Sequence, residues 1–347
     1  MIQSIKLAGK YLDQPLLLSK VKRAVTPGFI GGAGLFLANE VDKAPEDKKK
    51  HVAINKGSVL AATVISALAA PRIAAKIVGK TYEKYCAKDI IANNTKLVDT
   101  FLKENSVGDK TKSILEKAKT KVLSLKDIKN LKNDIYEKEN GKKFFNTLIP
   151  EPDNITSKDI RNEIGRLSLL GFIPVAGGVA GGLAGEKMSD KKITREHLGN
   201  RIKEGSYQYL ANIFLCNVGA GIALAGMEKA NVKSKSVRAL GMIGGIITTG
   251  IIGGSTIANY IGKKIINPIV DKKPKDQHKK EGLYSERTPE VLDICLHSDD
   301  IATIAVMSGL KWIEPTLPIL YGISGYRAGM GYRNGKKKPQ DTSKQQI

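Results

Sequence analysis

Lys311-Trp312-Ile313-Glu314-Pro315 is the stretch whose residue types and spacing point most directly to chemistry. Lys311 and Glu314 stand three apart, so a helix places them on one face where they can pair. They lie inside an apolar segment, Ile301 to Tyr326. If that segment crosses a bilayer, the pair sits near mid-membrane, where ionisable groups are rare and usually functional. Pro315 and Pro318 would break the helix there and free backbone carbonyls, and broken helices of this kind form binding sites in many transporters. The competing reading is an interfacial turn between two short helices, with Trp312 anchored among lipid headgroups.

A second polar group lies in Tyr207 to Met227, an otherwise apolar segment. Gln208 and Asn212 are four apart and share a helical face. Asn217, Gly221 and Ala225 continue at the same interval on a rotated stripe. Amides in such surroundings usually bond neighbouring helices, worth about 0.6–2 kcal/mol each. Packing is therefore the first expectation for Asn212 and Asn217, and contact with a solute the second.

Other chemistry finds little support. Cys86, Cys216 and Cys295 are far apart and form no CxxC pair, against both a disulfide framework and a zinc site. Of His51, His197, His278 and His297, only His297 has ligand-type neighbours, in Cys295-Leu-His-Ser-Asp-Asp300. A capped loop before a helix accounts for Ser298, Asp299 and Asp300 more simply. There is no GxxxxGK[ST] phosphate loop, HExxH pair or GxSxG elbow, and no GxGxxG follows a strand. The expectation is no catalytic residue, no cofactor and no metal, and an enzyme is the least supported class.

Charge says more about partners. The chain of 347 residues carries a net charge of +22, from 56 Lys and Arg against 34 Asp and Glu. Such a surplus attracts anionic surfaces. The basic residues are mostly Lys, whereas specific nucleic-acid recognition favours the planar fork of Arg. Anionic lipid headgroups are thus the expected partner, at roughly 1 kcal/mol per basic residue near the surface. Nucleic acid is not expected.

The elements that must position these groups read as all-α. Three charge-free segments are long enough for a ~30 Å hydrocarbon core: Leu167 to Gly185, Tyr207 to Met227 and Ala239 to Gly262. Val25 to Asn39 and Gly57 to Ala70 are shorter, and Pro71 predicts a break or kink after the second. Pro174 predicts a kink in the Leu167 segment. The apolar spacing of Ile114, Leu115, Ala118, Val122 and Leu125 marks a charged helical insertion. The resulting partition is a basic amphipathic segment at 1–24, a first hydrophobic helix pair at 25–80, the charged insertion at 81–166, a glycine-rich membrane bundle at 167–332 and a polar tail at 333–347.

The glycines are spaced for helix packing. Gly177, Gly181 and Gly185 fall four apart, as do Gly250, Gly254, Ala258 and Gly262, and Gly241 with Gly245. Such stripes let another backbone approach closely, which matters most in lipid, where apolar side chains gain little by leaving the solvent. In water each helical Gly costs about 0.8–1 kcal/mol relative to Ala. The same faces suit a homo-oligomer. Gly28-Phe-Ile30 and Gly171-Phe-Ile173 also open similar runs, each followed by small residues, an acid (Glu40, Glu186) and a lysine-rich loop, the outline of an internal repeat.

The expected molecule is an all-helical, multi-pass membrane protein with small-xxx-small helix packing and a charged insertion, in a bacterial cytoplasmic membrane, with a structural or interaction role at anionic lipid. The rivals are a small-solute or ion transporter using the broken helix around Lys311, Glu314 and Pro315, and a peripheral lysine-rich protein that binds anionic lipid or nucleic acid. Every loop between the strong segments is basic, so the lysine asymmetry that orients membrane proteins is missing. Hairpins that enter and leave on one side would resolve this.

Overall fold

A computed structural model describes residues 10–79, 86–150, 157–189, 193, 195–232, 235–270 and 311–331. All regular structure among them is helical. The N-terminal segment before Lys10, all of Ile301 to Leu310 and the tail after Gly331 lie outside the described residues, as does the Cys295 to Asp300 cluster.

The first two helices form a hairpin. Helix α1 is Pro15–Asp42 and α2 is Glu46–Ile77. The first joins the basic segment and the short apolar segment into one rod, so the boundary expected at residue 24 falls inside a helix. Its start is packed on the insertion and its later turns are exposed, which gives the two halves their different composition. Pro27 and Pro71 lie inside α1 and α2 without ending them. Proline removes one backbone donor, and a long helix packed along its length survives that loss.

The insertion forms a small helical domain: α3 Ala87–Glu104, α4 Asp109–Thr120, α5 Leu125–Ile135 and α6 Gly141–Leu148. Its core holds Val98, Phe101, Leu115, Ile128, Leu131, Ile135 and Phe145, all nearly inaccessible. Phe101 and Phe144 stack with ring centroids 4.1 Å apart. The expected spacing holds for Ile114, Leu115 and Ala118 and then stops. The chain leaves the helix after Thr120 and Leu123 turns inward, while Leu125 begins a new helix with 44% of its surface exposed. The stretch before α1 docks here. The Gln14 amide donates to Leu123 O at 2.9 Å and accepts from Leu123 N at 2.8 Å.

Ser124 caps α5. Its hydroxyl accepts from Asp127 N at 3.1 Å, and the Asp127 carboxylate accepts from Ser124 N at 3.0 Å, a capping box. Burial pushes the Asp127 carboxyl up, but hydrogen bonds from Lys117 and Ser124 outweigh it and hold the group below its usual range.

The long helices carry the rest. Helix α7 is Ser157–Met188 and runs through the boundary expected at residue 166 and through Pro174. Helix α8 comprises Arg195–Tyr209, a π-turn at Leu210–Phe214 and Leu215–Lys229. Helix α9 begins at Lys235 and reaches Val270 through π-turns at Ile247–Ile252 and Gly262–Ile266. A 3-10 turn, Lys311–Thr316, leads into α10, Leu317–Met330. Among the described residues, four stretches are long and apolar enough to cross a membrane: Glu46–Ile77, Arg161–Met188, His197–Lys229 and Leu240–Ile266.

Helix α7 stands between α2 and α10, and paired glycines let it serve both. Successive residues of a helix point about 100° apart. Gly177, Gly181 and Gly185 face α2: a Cβ on Gly181 would come within 2.6 Å of the Ala62 Cβ, and one on Gly185 within 3.0 Å of the Asn55 backbone. Gly178 and Gly182 face α10, where a Cβ on either would overlap the carbonyl oxygen of Gly325 or Gly329. Helices α8 and α9 meet similarly. A Cβ on Gly219 or Gly245 would overlap the other's carbonyl, one on Gly250 would overlap Cys216, and one on Gly254 would lie 3.0 Å from Ala211 O. Gly241 lies against Met227, and Ala258 is buried beside Tyr207 and Ala211. A Cβ on Gly262 would meet nothing within 4 Å, so this last member of the stripe makes no close helix contact.

Two predictions follow from these contacts. Gly178→Ala should cost about 1–3 kcal/mol by overpacking, whereas Gly28→Ala, with nothing within 4 Å, should leave stability unchanged or raise it; thermal unfolding in detergent separates the two. The Asp127 carboxylate should contribute fully above the normal carboxylate pKa and lose its effect as pH falls through the lowered value. Hydrogen exchange of α5, corrected for intrinsic rates, should therefore quicken at low pH in the wild type. In Asp127→Asn it should be faster at neutral pH and lack that acid step.

Candidate functional site

Helix α8 carries a seam of buried polar side chains that runs from its charged first turns into its apolar later half. Glu204, Gln208, Asn212 and Asn217 are each at most 3% exposed. The Gln208 amide donates to the Glu204 carboxylate at 2.8 Å, and the Asn212 amide donates to Gln208 Oε1 at 2.9 Å. Each donor points back along the chain toward the carboxylate, so the two amide dipoles reinforce one another.

The π-turn explains how Asn217 joins this face. Sequence spacing put Asn217 on a stripe rotated from Asn212. At the π-turn the Leu215 N–H bonds to Leu210 O, five residues back, and the Cys216 thiol donates to Ala211 O at 3.4 Å. An i to i+5 turn holds one extra residue. It carries the seam from position 212 to 217 without leaving the face. The π-turn of α9 lies opposite: Thr249 Oγ1 donates to Leu215 O at 2.9 Å, and Tyr207 and Ser255 share a hydroxyl hydrogen bond of 2.9 Å.

At the α7–α8 connection a charged cluster closes the seam. Arg201 Nη1 donates to Glu186 Oε1 at 2.7 Å and Arg201 Nε to Gly329 O at 2.9 Å, so one guanidinium ties α7, α8 and α10. His197 Nδ1 stands 3.5 Å from the second Glu186 oxygen. Gly182 makes this possible, since a Cβ there would overlap the Arg201 side chain. Lys203 and Arg327 are also buried, at 8% and 2% exposure. The sequence marks Glu186 as the acid before a lysine-rich loop and Arg201 as one of that loop's cations, and leaves Glu204 and Arg327 unmarked. A helical count back from Asn212 and Gln208 to Glu204, at the same four-residue interval, is the signal for Glu204.

The Lys311–Glu314 spot resolves differently. Glu314 Oε1 accepts from Arg166 Nη1 at 2.6 Å, and Arg166 also pairs with Glu163. Lys311–Thr316 is a 3-10 turn with Pro315 inside it, and α10 follows with Pro318 in its first turn. The Lys311 side chain lies outside the described residues. The structure thus separates the expected polar residues: Asn212 and Asn217 share the α8 seam, while Glu314 joins a cluster near the start of the Arg161–Met188 span.

Buried polar atoms with no hydrogen-bond partner among the described residues include Thr63 Oγ1, Ser168 Oγ, Asn217 Nδ2 and Ser324 Oγ. No group of three or more His, Cys, Asp or Glu among the described residues is placed to hold a metal. No protein-family model, curated protein or solved structure matches this chain.

Breaking the cluster tests its energetics. Arg201→Met should destabilise the protein by about 3–5 kcal/mol, because Glu186 stays buried without its guanidinium. Adding Glu186→Met should recover most of that loss, as read from thermal melts of both variants.

Proposed function

We propose that this protein is a multi-pass integral membrane protein with a structural or interaction role at an anionic membrane, its helices packed through their glycine faces. The observation that carries this reading is an inverted distribution of polarity. Large apolar side chains point outward along the candidate spans, with Ile65 69%, Ile222 64%, Leu240 67% and Ile252 66% exposed. Charged and amide groups point inward, with Glu204 1% and Arg327 2% exposed. Water would penalise both, whereas a bilayer solvates the first and leaves the second to pair inside.

Hairpin construction supports the same reading. In α1–α2 and in α7–α8, an acid near the end of the first helix bridges to a cation early in the second: Glu40 to Lys56, and Glu186 to Arg201. Helices joined this way return to the side from which they came. The basic loops between them suit contact with anionic headgroups.

A second reading is a carrier of small solutes or ions. It is favoured by one observation, buried polar atoms without hydrogen-bond partners on α8 (Asn217 Nδ2) and on α7 and α10 (Ser168 Oγ, Ser324 Oγ), which pack against α8. Each costs about 1–3 kcal/mol when left unmade in an apolar bundle. A polar species moving along the seam would satisfy them in turn. Glu204, Asn212 and Asn217 would then line the path rather than the Lys311–Glu314 break.

Alkaline carbonate extraction tests the first reading. The protein should stay in the membrane pellet, and release to the supernatant would overturn both readings. In proteoliposomes, a solute or ion flux that Asn217→Leu and Glu204→Gln abolish would establish the carrier; unchanged leak relative to empty vesicles would leave the structural role.

A further inference from the structure

The helical insertion carries a lysine-lined concavity that the membrane reading does not use. A cavity of about 400 Å³ lies at the junction of α5 and α6, lined by Lys138, Asn140, Gly141, Lys142, Lys143 and Asn146. That volume is within the range of small-ligand sites. The lining holds three ammonium groups, two amides and no carboxylate.

Two lysines elsewhere in the same domain are ion-paired. Lys117 pairs with Asp127, and Lys119 pairs with Asp99 and Glu116. No carboxylate among the described residues lies within ion-pairing distance of Lys138, Lys142 or Lys143, although Glu137 and Glu139 are close in sequence. Their contacts instead hold them without neutralising them. Lys138 Nζ donates to Ser106 O at 2.8 Å, and Lys142 Nζ stands 5.9 Å from the centre of the Tyr136 ring. A fourth ammonium reaches the edge of the cavity, where Lys10 Nζ donates to Asn146 Oδ1 at 3.4 Å.

The support beneath is rigid. Ile135, Phe144 and Phe145 on either side of the turn are in the domain core. Gly141 packs so closely on the end of α5 that a Cβ would lie 2.9 Å from the Ile135 carbonyl carbon and overlap its oxygen. The turn between them includes Asn140 with φ of 57°, a backbone state that asparagine tolerates better than most residues. The lysines are therefore presented by fixed backbone, around one concavity.

We propose that this concavity binds a phosphate group. Clustered ammonium charges with no carboxylate in the lining suit a multiply charged oxyanion, which lysine binds as a point charge, and the two amides add donors. The same chemistry is offered by free phosphate and by the headgroup of a phosphatidic-acid-type lipid. The site lies in the helical domain and does not depend on how many helices cross the bilayer.

The test is calorimetric titration of the full chain in neutral detergent, at constant ionic strength, with inorganic phosphate and with dihexanoyl phosphatidic acid. Both should bind, and changing Lys138, Lys142 and Lys143 together to Gln should weaken binding by about tenfold or more. Changing the exposed Lys103, Lys110 and Lys112 to Gln should leave it nearly intact. Tighter binding of the lipid analogue assigns the site to headgroups, and equal or tighter binding of phosphate assigns it to the free anion. Absence of binding, or equal losses in the two triple variants, would overturn the proposal; carbonate extraction would be unaffected in either case.

Discussion

Where α7 crosses α10, no room exists for a side chain on either helix. The carbonyl oxygen of Gly325 occupies the space that a Cβ on residue 178 would need, and Gly178 does the same to Gly329. On the adjoining face of α7, Gly181 and Gly185 bring α2 equally close. Three helices thus share contacts that tolerate only hydrogen atoms. Van der Waals attraction falls steeply with distance, so such crossings gain from many atom pairs at once. The core beside α7 is then completed by Leu167, Leu170, Ile213, Leu317 and Tyr321.

The close approach also sets where polar groups go. Because Gly182 has no side chain, Arg201 can pass beside α7 to reach Glu186 and the Gly329 carbonyl. Above it, the α8 seam needs a π-turn to keep Asn217 in line with Asn212. A regular helix would rotate the amide off that face. Backbone irregularity and glycine placement therefore act together: one brings the helices near, and the other keeps polar side chains between them.

The insertion obeys different physics. Its helices have strong polar faces, a capping box and ion pairs at the surface, and its core is built from large aromatic and aliphatic residues instead of glycine. Water is the solvent to which such a domain is fitted, because apolar burial there supplies the driving force that lipid withholds. Gln14 and Lys10 join the two parts, placing the start of α1 on the domain while its later turns remain exposed.

Much of this was legible in the residues taken in order. The all-helical class, the apolar segments and the Ile114–Ala118 core face follow from periodicity, which acts over a few turns of one helix. The amide pair Gln208–Asn212 follows from the same local rule. Pro71 and Pro174 signal local loss of a hydrogen bond, but not the packing that carries α2 and α7 on as helices past them. Spacing offered Lys311 as a partner for Glu314, yet Arg166 lies 148 residues away and bonds it directly. Likewise Gly177, Gly181 and Gly185 stood out as one stripe, but the second stripe of Gly178 and Gly182 had no meaning until α10 was in place. Local pattern determined which segments are helices and which faces are small. Only the tertiary structure decided which charge meets which and which glycine is indispensable, because those depend on helices far apart in the chain coming within contact of each other.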